Sequence, residues 1–226
     1  MIITLDGPAG AGKSTVAKRL AQRLTKKQGK TFEYLDTGSM YRAVTLLGIR
    51  NNVDWEISEQ LERFAERADI SIVDGRTLLS GEDITELVRT PKITEKSRFA
   101  ANNPVIRQMM VEQQRIIAQS FLTAGKGLVT EGRDQGTVVF PDAAYKFFLT
   151  ATPEERARRR LGELQQRGIT GEFDDILRQI TERDGRDTAR SVGPLCEPPD
   201  AHRIVSDGRT IDEIVEQIAE ICSGTF

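Results

Sequence analysis

Short apolar runs and longer amphipathic stretches alternate along this chain. Ile2-Ile3-Thr4-Leu5 is a compact apolar run, the mark of a strand buried on both faces. Val16, Leu20 and Leu24 then recur at helical spacing with Ala17 and Ala21 beside them, and Lys18, Arg19, Arg23, Lys26 and Lys27 fill the rest. That pattern predicts an amphipathic helix, ended by Gly29. Thr31-Phe32-Glu33-Tyr34-Leu35 predicts a second strand. Strand, helix, strand is a βαβ unit and calls for a parallel sheet. Ser39 to Leu47 reads as the next helix start, with Tyr41-Arg42 inside it.

From about Glu56 to Pro104 the rhythm changes. Leu61, Phe64, Ala65 and Ala68 mark a helix, and Ile70 to Leu79 with Asp74-Gly75 at its centre reads as a β-hairpin. A hairpin breaks a βαβ rhythm, so positions 56–104 are expected to form a small insertion beside a core of 1–55 and 105–226. Asp83-Ile84-Thr85-Glu86 and the stop before Pro91 fit a short helix within it. Val105 to Leu122 predicts a long helix with apolar positions at Val105, Met109, Ile116 and Ile117. Leu128-Val129-Thr130 and Tyr145 to Leu149 predict two more strands, and Pro153 suits the first turn of a helix. That helix carries the basic run Arg156 to Arg160, and Gly168 to Gly171 joins it to a further helix through Ile176, Leu177 and Ile180. Gly193 to Pro199 reads as a proline-rich surface crossing, Arg203 to Val205 as a last strand, and Ile211 to Ile221 as a closing amphipathic helix. The fold class expected is α/β: a parallel sheet flanked by helices, with a hairpin-containing insertion.

Composition narrows the function without naming one. The 226 residues suffice for one sizeable domain, and 38% hydrophobic with 29% charged argues against a disordered chain. With 32 Lys+Arg against 34 Asp+Glu the net charge is -2. Bulk charge therefore gives no argument for nucleic acid or an anionic membrane as partner. No stretch approaches a membrane span in length, and no secretory leader pattern opens the chain, so a cytoplasmic monomer is the expectation. Cys196 and Cys222 form no spaced pair and have no histidine cluster nearby, which reads as reduced and structural rather than metal-binding.

The chemistry starts at Gly7-Pro8-Ala9-Gly10-Ala11-Gly12-Lys13-Ser14-Thr15, between the first strand and the first helix. It fits G-x-x-x-x-G-K-[ST] in the context that pattern requires. Glycines let backbone N–H groups curl round an anion, and the helix aims its positive end at the same place. Lys13 supplies a mobile charge for the terminal phosphates, and the Ser14 hydroxyl can bind Mg²⁺. A nucleoside triphosphate is the expected ligand.

A guanine-specific switch would need Asn-Lys-x-Asp, and no Asn here precedes a Lys. Arginines instead recur in separate places: Tyr41-Arg42, Gly132-Arg133-Asp134, the run Arg183 to Arg190, and Arg156 to Arg160. A phosphoryl transferase needs such groups, because it holds two phosphorylated substrates end to end and neutralises the group in transfer. Arg156 and Arg158 read as solvated helix-surface cations. Arg133 follows a buried strand and a glycine, and ligands bind at the carboxyl ends of such strands. His202, the one histidine, reads as a surface residue. A phosphate acceptor is largely dianionic at pH 7 and needs no general base.

These residues together resemble the bacterial cytidylate kinases over nearly the whole chain. The resemblance is carried by Leu5 to Gly10, Leu35 to Arg42, Gly81 to Thr85, Gly132-Arg133-Asp134 with Gly136 to Asp142, Glu154 to Ala157, and Glu182 to Asp187. It implies ATP-dependent phosphorylation of CMP and dCMP, with Mg²⁺ as cofactor. It implies acceptor-phosphate grips at Arg42, Arg133 and Arg190, ribose contacts at Asp134 and Arg183, and cytosine contacts at Ser97, Arg107 and Asp187, with Thr37 near the base or phosphate. Arg159 and Arg160 match the family's lid arginines, in a lid spanning about 156–172. Two departures stand out. The family usually has Asp-Gly-Arg-Asp where this chain has Glu131-Gly132-Arg133-Asp134, and Ser97 lies ten residues before Arg107, one more than the family spacing, with Asn102-Asn103 taking up the difference. Read without the resemblance, Asp187 serves equally as a salt-bridge partner of Arg183 or Arg190. Another small kinase with a different acceptor, or a non-catalytic nucleotide binder, remains the alternative.

Overall fold

A computed structural model describes residues 1–166 and 168–224 of the chain. Five parallel strands form the main sheet: β1 (Ile2–Asp6), β2 (Phe32–Asp36), β6 (Gly127–Glu131), β7 (Tyr145–Thr150) and β8 (His202–Val205). Their order is β2-β6-β1-β7-β8, so β1, with its buried Ile3, Thr4, Leu5 and Asp6, runs through the centre. Registers Leu5↔Glu131 and Asp36↔Glu131 bring the carboxyl ends of β1, β2 and β6 level. The sheet therefore presents Asp6, Asp36 and Glu131 along one edge, the place where parallel sheets bind ligands.

Helix α1 (Lys13–Gln28) and α8 (Ile211–Ile221) cover one face. Val16, Leu20 and Leu24 pack there with Ile3, Leu5, Phe147 and Ile218. Helix α2 (Thr37–Arg50) and α5 (Pro104–Thr123) belong to the core on the opposite side, with Met40, Val44, Ile106, Met110 and Leu128. Each such buried aliphatic side chain contributes about 1.5–3 kcal/mol. The long helix buries the expected stripe only in part: Met109 and Ile117 pack against the core. Ile106, Met110, Gln114 and Ala118 face inward, whereas Val105 and Ile116 are exposed. The reason is register: Asn103 caps the helix, its side chain accepting from the Val105 and Ile106 N–H groups, and this entry turns Ile106 rather than Val105 to the core.

Between α2 and α5 lies a second, antiparallel sheet of β3 (Ile70–Val73), β4 (Arg76–Leu79) and β5 (Glu82–Asp83), with α3 (Ser58–Glu66) and α4 (Pro91–Asn102) around it. The expected hairpin is present, its Asp74 and Gly75 both at positive φ, as such a tight turn demands. The short helix expected from Asp83 is reduced to one 3₁₀ turn, which starts four residues later. Asp83 pairs with Leu78 in the sheet, and a single tight turn at Leu87–Arg89 precedes α4, where Pro91 takes the first turn. Asp83 caps that segment locally, accepting from the Thr85 N–H and hydroxyl, a turn-forming bond that competes with helix.

Helices α6 (Pro153–Gln166) and α7 (Phe173–Thr188) form a hairpin with a small core of its own at Ala157, Ile176 and Ile180. Position 167, within the span expected for the lid, lies outside the described residues. The crossing from Gly193 to Pro199 is not wholly superficial: Gly193 and Pro198 are buried. Among the described residues, no helix is long and apolar enough to cross a membrane.

Candidate active site

The loop Gly7–Gly12 joins the central strand to α1. Gly7, Gly10 and Gly12 all take positive φ, which only glycine adopts freely. A side chain at Gly7 would also collide with the Leu149 carbonyl of β7. Helix α1 has no side-chain cap and no acidic residue in its first turn, so its leading N–H groups remain free for an anion. Ser14 lies in that turn, half-buried, and Thr15 beside it is exposed.

Lys13 is 5% exposed, and its ammonium donates to the Pro8 carbonyl at 2.7 Å. Burial pushes its pKa down to about 7; Arg133 pushes the same way and Glu131 opposes. A triphosphate would supply the counter-charge this lysine is short of. The Ser14 hydroxyl donates to Glu131 Oε1 at 2.6 Å. Asp6, at the end of β1, accepts from the Gln135 and Gly136 N–H groups at 2.8 and 2.7 Å. Those bonds tie the segment after β6 beneath the loop. Burial raises the Asp6 pKa to about 7 against these two bonds.

The separate arginine motifs converge on the same edge of the sheet. Asp187, in the last turn of α7, binds Arg133 Nε at 2.9 Å, pairs with Arg190, and lies 4.0 Å from Arg183. Burial disfavours its charge, yet Arg133, Arg190 and Arg183 outweigh that and hold its pKa below the ordinary carboxylate range. Arg183 in turn feels the charges of Arg133, Arg42 and Arg190, and Lys13 those of Arg133 and Arg183. Arg42 binds Asp36 Oδ2 at 3.0 Å, and Arg89 from the tight turn before α4 reaches the same oxygen at 3.2 Å. The Arg42 Nε is buried without a partner. Arg107 and Asp134 form a separate ion pair, 3% and 6% exposed, with Gly193 packed so closely that a side chain there would strike both.

Not every expected residue joins this cluster. The Thr37 hydroxyl donates to the Glu131 carbonyl at 2.7 Å, pinning the start of α2 to β6. That bond and the Asp36 cap begin α2 at Thr37 instead of Ser39. Ser97 donates to the Thr94 carbonyl of its own helix and meets neither Arg107 nor Asp187. Arg159 donates to the Ser206 hydroxyl at 2.9 Å and also to its carbonyl, and Arg160 pairs with Glu163 in solvent. Arg158 is exposed, but Arg156 is not the surface cation its sequence context suggests: it is 4% exposed and bound to Asp184 and the phosphate loop. Burial followed from α6 docking on the loop, a contact its own helix pattern does not encode. His202 is exposed, its ring stacked on Phe147 at 5.5 Å. Asp36, Arg89, Asp184 and Gly193 support the site from behind: Asp36 and Arg89 beside Arg42, Asp184 beside the phosphate loop, and Gly193 against the Arg107–Asp134 pair. Asp36 and Asp184 lie within the stretches Leu35–Arg42 and Glu182–Asp187 that carry the family resemblance, which is the signal the sequence offers for them; Arg89 and Gly193 have none.

The sequence model of the family described as cytidylate kinase matches residues 3–223. The chain belongs to the cytidylate kinase family. A cytidylate kinase of Caldanaerobacter subterraneus subsp. tengcongensis is 45% identical over 96% of this chain and 92% of its own length. One of Rhodopirellula baltica is 46% identical over 98% and 92% respectively. A bifunctional pantoate ligase/cytidylate kinase of Synechococcus elongatus is 43% identical over 97% of this chain and 41% of its own length. The family membership agrees with the meeting of loop and arginines at one sheet edge.

Proposed function

We propose that this chain is a cytidylate kinase that moves the terminal phosphoryl group of ATP to CMP and dCMP, giving CDP and dCDP. The observation that carries this reading is the set of cations gathered at the sheet edge: Lys13, Arg42, Arg133, Arg183 and Arg190, drawn from four chain segments. In phosphoryl transfer the protein positions two anions and neutralises charge, with little covalent chemistry of its own. A dianionic acceptor needs no base, and His202 stands exposed at the start of β8.

In this reading, residues Gly7 to Thr15 hold the ATP phosphates, and Lys13 with Arg133, Arg190, Arg159 and Arg160 stabilises the group in transfer. Arg42, Arg133 and Arg190 grip the acceptor phosphate, and closure of the α6–α7 hairpin brings Arg159 and Arg160 inward. Asp187 then trades arginine partners for nucleotide ones. Ser14 and Glu131 offer hard oxygen donors side by side, which fits Mg²⁺. Among the described residues no group of three acidic, His or Cys side chains is able to hold an ion, which suits a cation carried mainly by the nucleotide. Ser14 and Glu131 would hold the ion, and its charge would offset that of the phosphates.

The base edge has two readings. Ser97, Arg107 and Asp187 form the first, with Asp134 and Arg183 on the ribose. The buried Arg107–Asp134 pair favours a second, in which Asp134 works beside Arg107 on the base. Either way a carboxylate suits the cytosine amino group and a guanidinium its ring acceptors. A coupled assay of ADP release against CMP, dCMP, UMP and AMP tests the function. CMP and dCMP should be turned over well ahead of UMP and AMP. Release of ADP with none of them would remove the reading.

A further inference from the structure

Arg156 in α6 and Asp184 in α7 meet beside the phosphate loop with side-chain exposures of 5% and 18%. They pair with each other, and both also bind one loop residue. Asp184 Oδ1 accepts from the Ala9 N–H at 3.1 Å, and Arg156 Nη1 donates to the Ala9 carbonyl at 2.9 Å. Arg156 is itself anchored through Nε, which donates to the Ala151 carbonyl at 3.0 Å. The Ala9 N–H lies in the same rigid peptide plane as the Pro8 carbonyl. That carbonyl takes the Lys13 ammonium at 2.7 Å. One plane thus has Asp184 on its N–H side and Lys13 on its carbonyl side, and the next plane has Arg156 on its carbonyl.

The loop has no side chain able to hold these planes. Gly7, Gly10 and Gly12 leave its backbone torsions free, and Pro8, Ala9 and Ala11 offer no polar group. A peptide that rotates turns a carbonyl where an N–H stood, and a carbonyl repels phosphate oxygens that an N–H attracts. A Cβ at Gly10 would lie 3.3 Å from the Arg156 Cβ, so the clamp also packs directly on the next residue.

We propose that Asp184 and Arg156 are positioning residues: they fix the Pro8–Ala9 and Ala9–Gly10 peptides, and through them the Lys13 ammonium and the loop amides that receive the triphosphate. The clamp also fastens the base of the α6–α7 hairpin to the loop. This rests on the kinase reading above, but it is tested on ATP binding alone.

The variants are Asp184→Ala, Asp184→Asn and Arg156→Lys in the full chain. Asn keeps an acceptor for the Ala9 N–H, and Lys keeps the charge but not the fork. Calorimetric titration with a non-hydrolysable ATP analogue should show Asp184→Ala weaker by on the order of tenfold. CMP affinity should stay within about twofold, and Asp184→Asn should recover most of the loss. Arg156→Lys should weaken the analogue and spare CMP in the same way, and decides the matter if Asp184→Ala does not fold. Unchanged analogue affinity overturns the proposal. So does an equal loss for both nucleotides, which is what general loosening of the fold would give. A wild type that binds the analogue but releases no ADP with CMP would count against the kinase reading and leave the clamp intact.

Discussion

Replacing Asp134 by Asn perturbs the most deeply buried charge pair near the site. Arg107 and Asp134 are 3% and 6% exposed, so neither has water to fall back on. Breaking such a pair costs about 3–5 kcal/mol. Asparagine keeps the shape and one acceptor, and Arg107 retains its bond to the Ala101 carbonyl at 3.0 Å. Those remnants place the cost near the lower end, at about 3 kcal/mol. The Arg107 Nε, already without a partner, keeps it from falling much below that. For a chain of this length each kcal/mol moves Tm by about 2–4 °C, so a fall of about 6–12 °C follows. Scanning calorimetry with and without CMP reads it. Saturating CMP at about a hundred times its Kd should add about 2.7 kcal/mol to the wild type and much less to Asp134→Asn, with the CMP/UMP ratio of kcat/KM narrowed. The double variant Arg107→Met with Asp134→Leu separates fold from recognition. It should regain stability, since an apolar pair replaces a buried ionic one without penalty, and still fail to bind CMP. A single variant melting within about 2 °C of wild type would refute the burial argument.

Lys13→Met should abolish turnover with the fold retained, read by ADP release and circular dichroism; near-normal turnover would take the phosphate loop out of the mechanism. The same variant carries a pH signature. Burial depresses the Lys13 pKa to about 7, so above that pH the unfolded chain binds a proton the folded one lacks, and stability rises with pH from there toward the ordinary lysine value. Denaturant titrations of the nucleotide-free protein should lose part of that rise in Lys13→Met. Asp187→Ala should narrow the CMP/UMP ratio of kcat/KM by roughly tenfold if this carboxylate reads the base; an unchanged ratio places base reading at Arg107 and Asp134. Arg160→Ala, whose side chain here only meets Glu163, should lower kcat far more than it weakens CMP binding. A change confined to KM would make it an ordinary binding residue.

Local signals were legible wherever a residue's role depends on its immediate neighbours. The strand before Gly7, the loop glycines and the amphipathic α1 follow from spacing within a dozen or so residues, as does the hairpin at Asp74-Gly75. Errors arose where a non-local contact overrode a local pattern. Asp83 read as a helix start and became a strand residue, because pairing with Leu78 offered its backbone a better partner. Val105 and Ile116 read as core, and the Asn103 cap turned them outward. Arg156 read as a surface cation because nothing within α6 announces that Ala9 and Asp184 will close over it.

Chemical type was written in the chain: a glycine loop followed by Lys13 demands an anion, and four arginine-bearing motifs demand a second one. The partnership of those motifs was not. Asp187 among Arg133, Arg183 and Arg190, and Asp134 against Arg107, join residues 27 to 54 positions apart as well as near neighbours. Such pairings depend on which strands lie side by side and on where water is excluded. Hydrogen bonds and charges act over a few ångströms, so their meaning is set only when folding brings distant segments within that range.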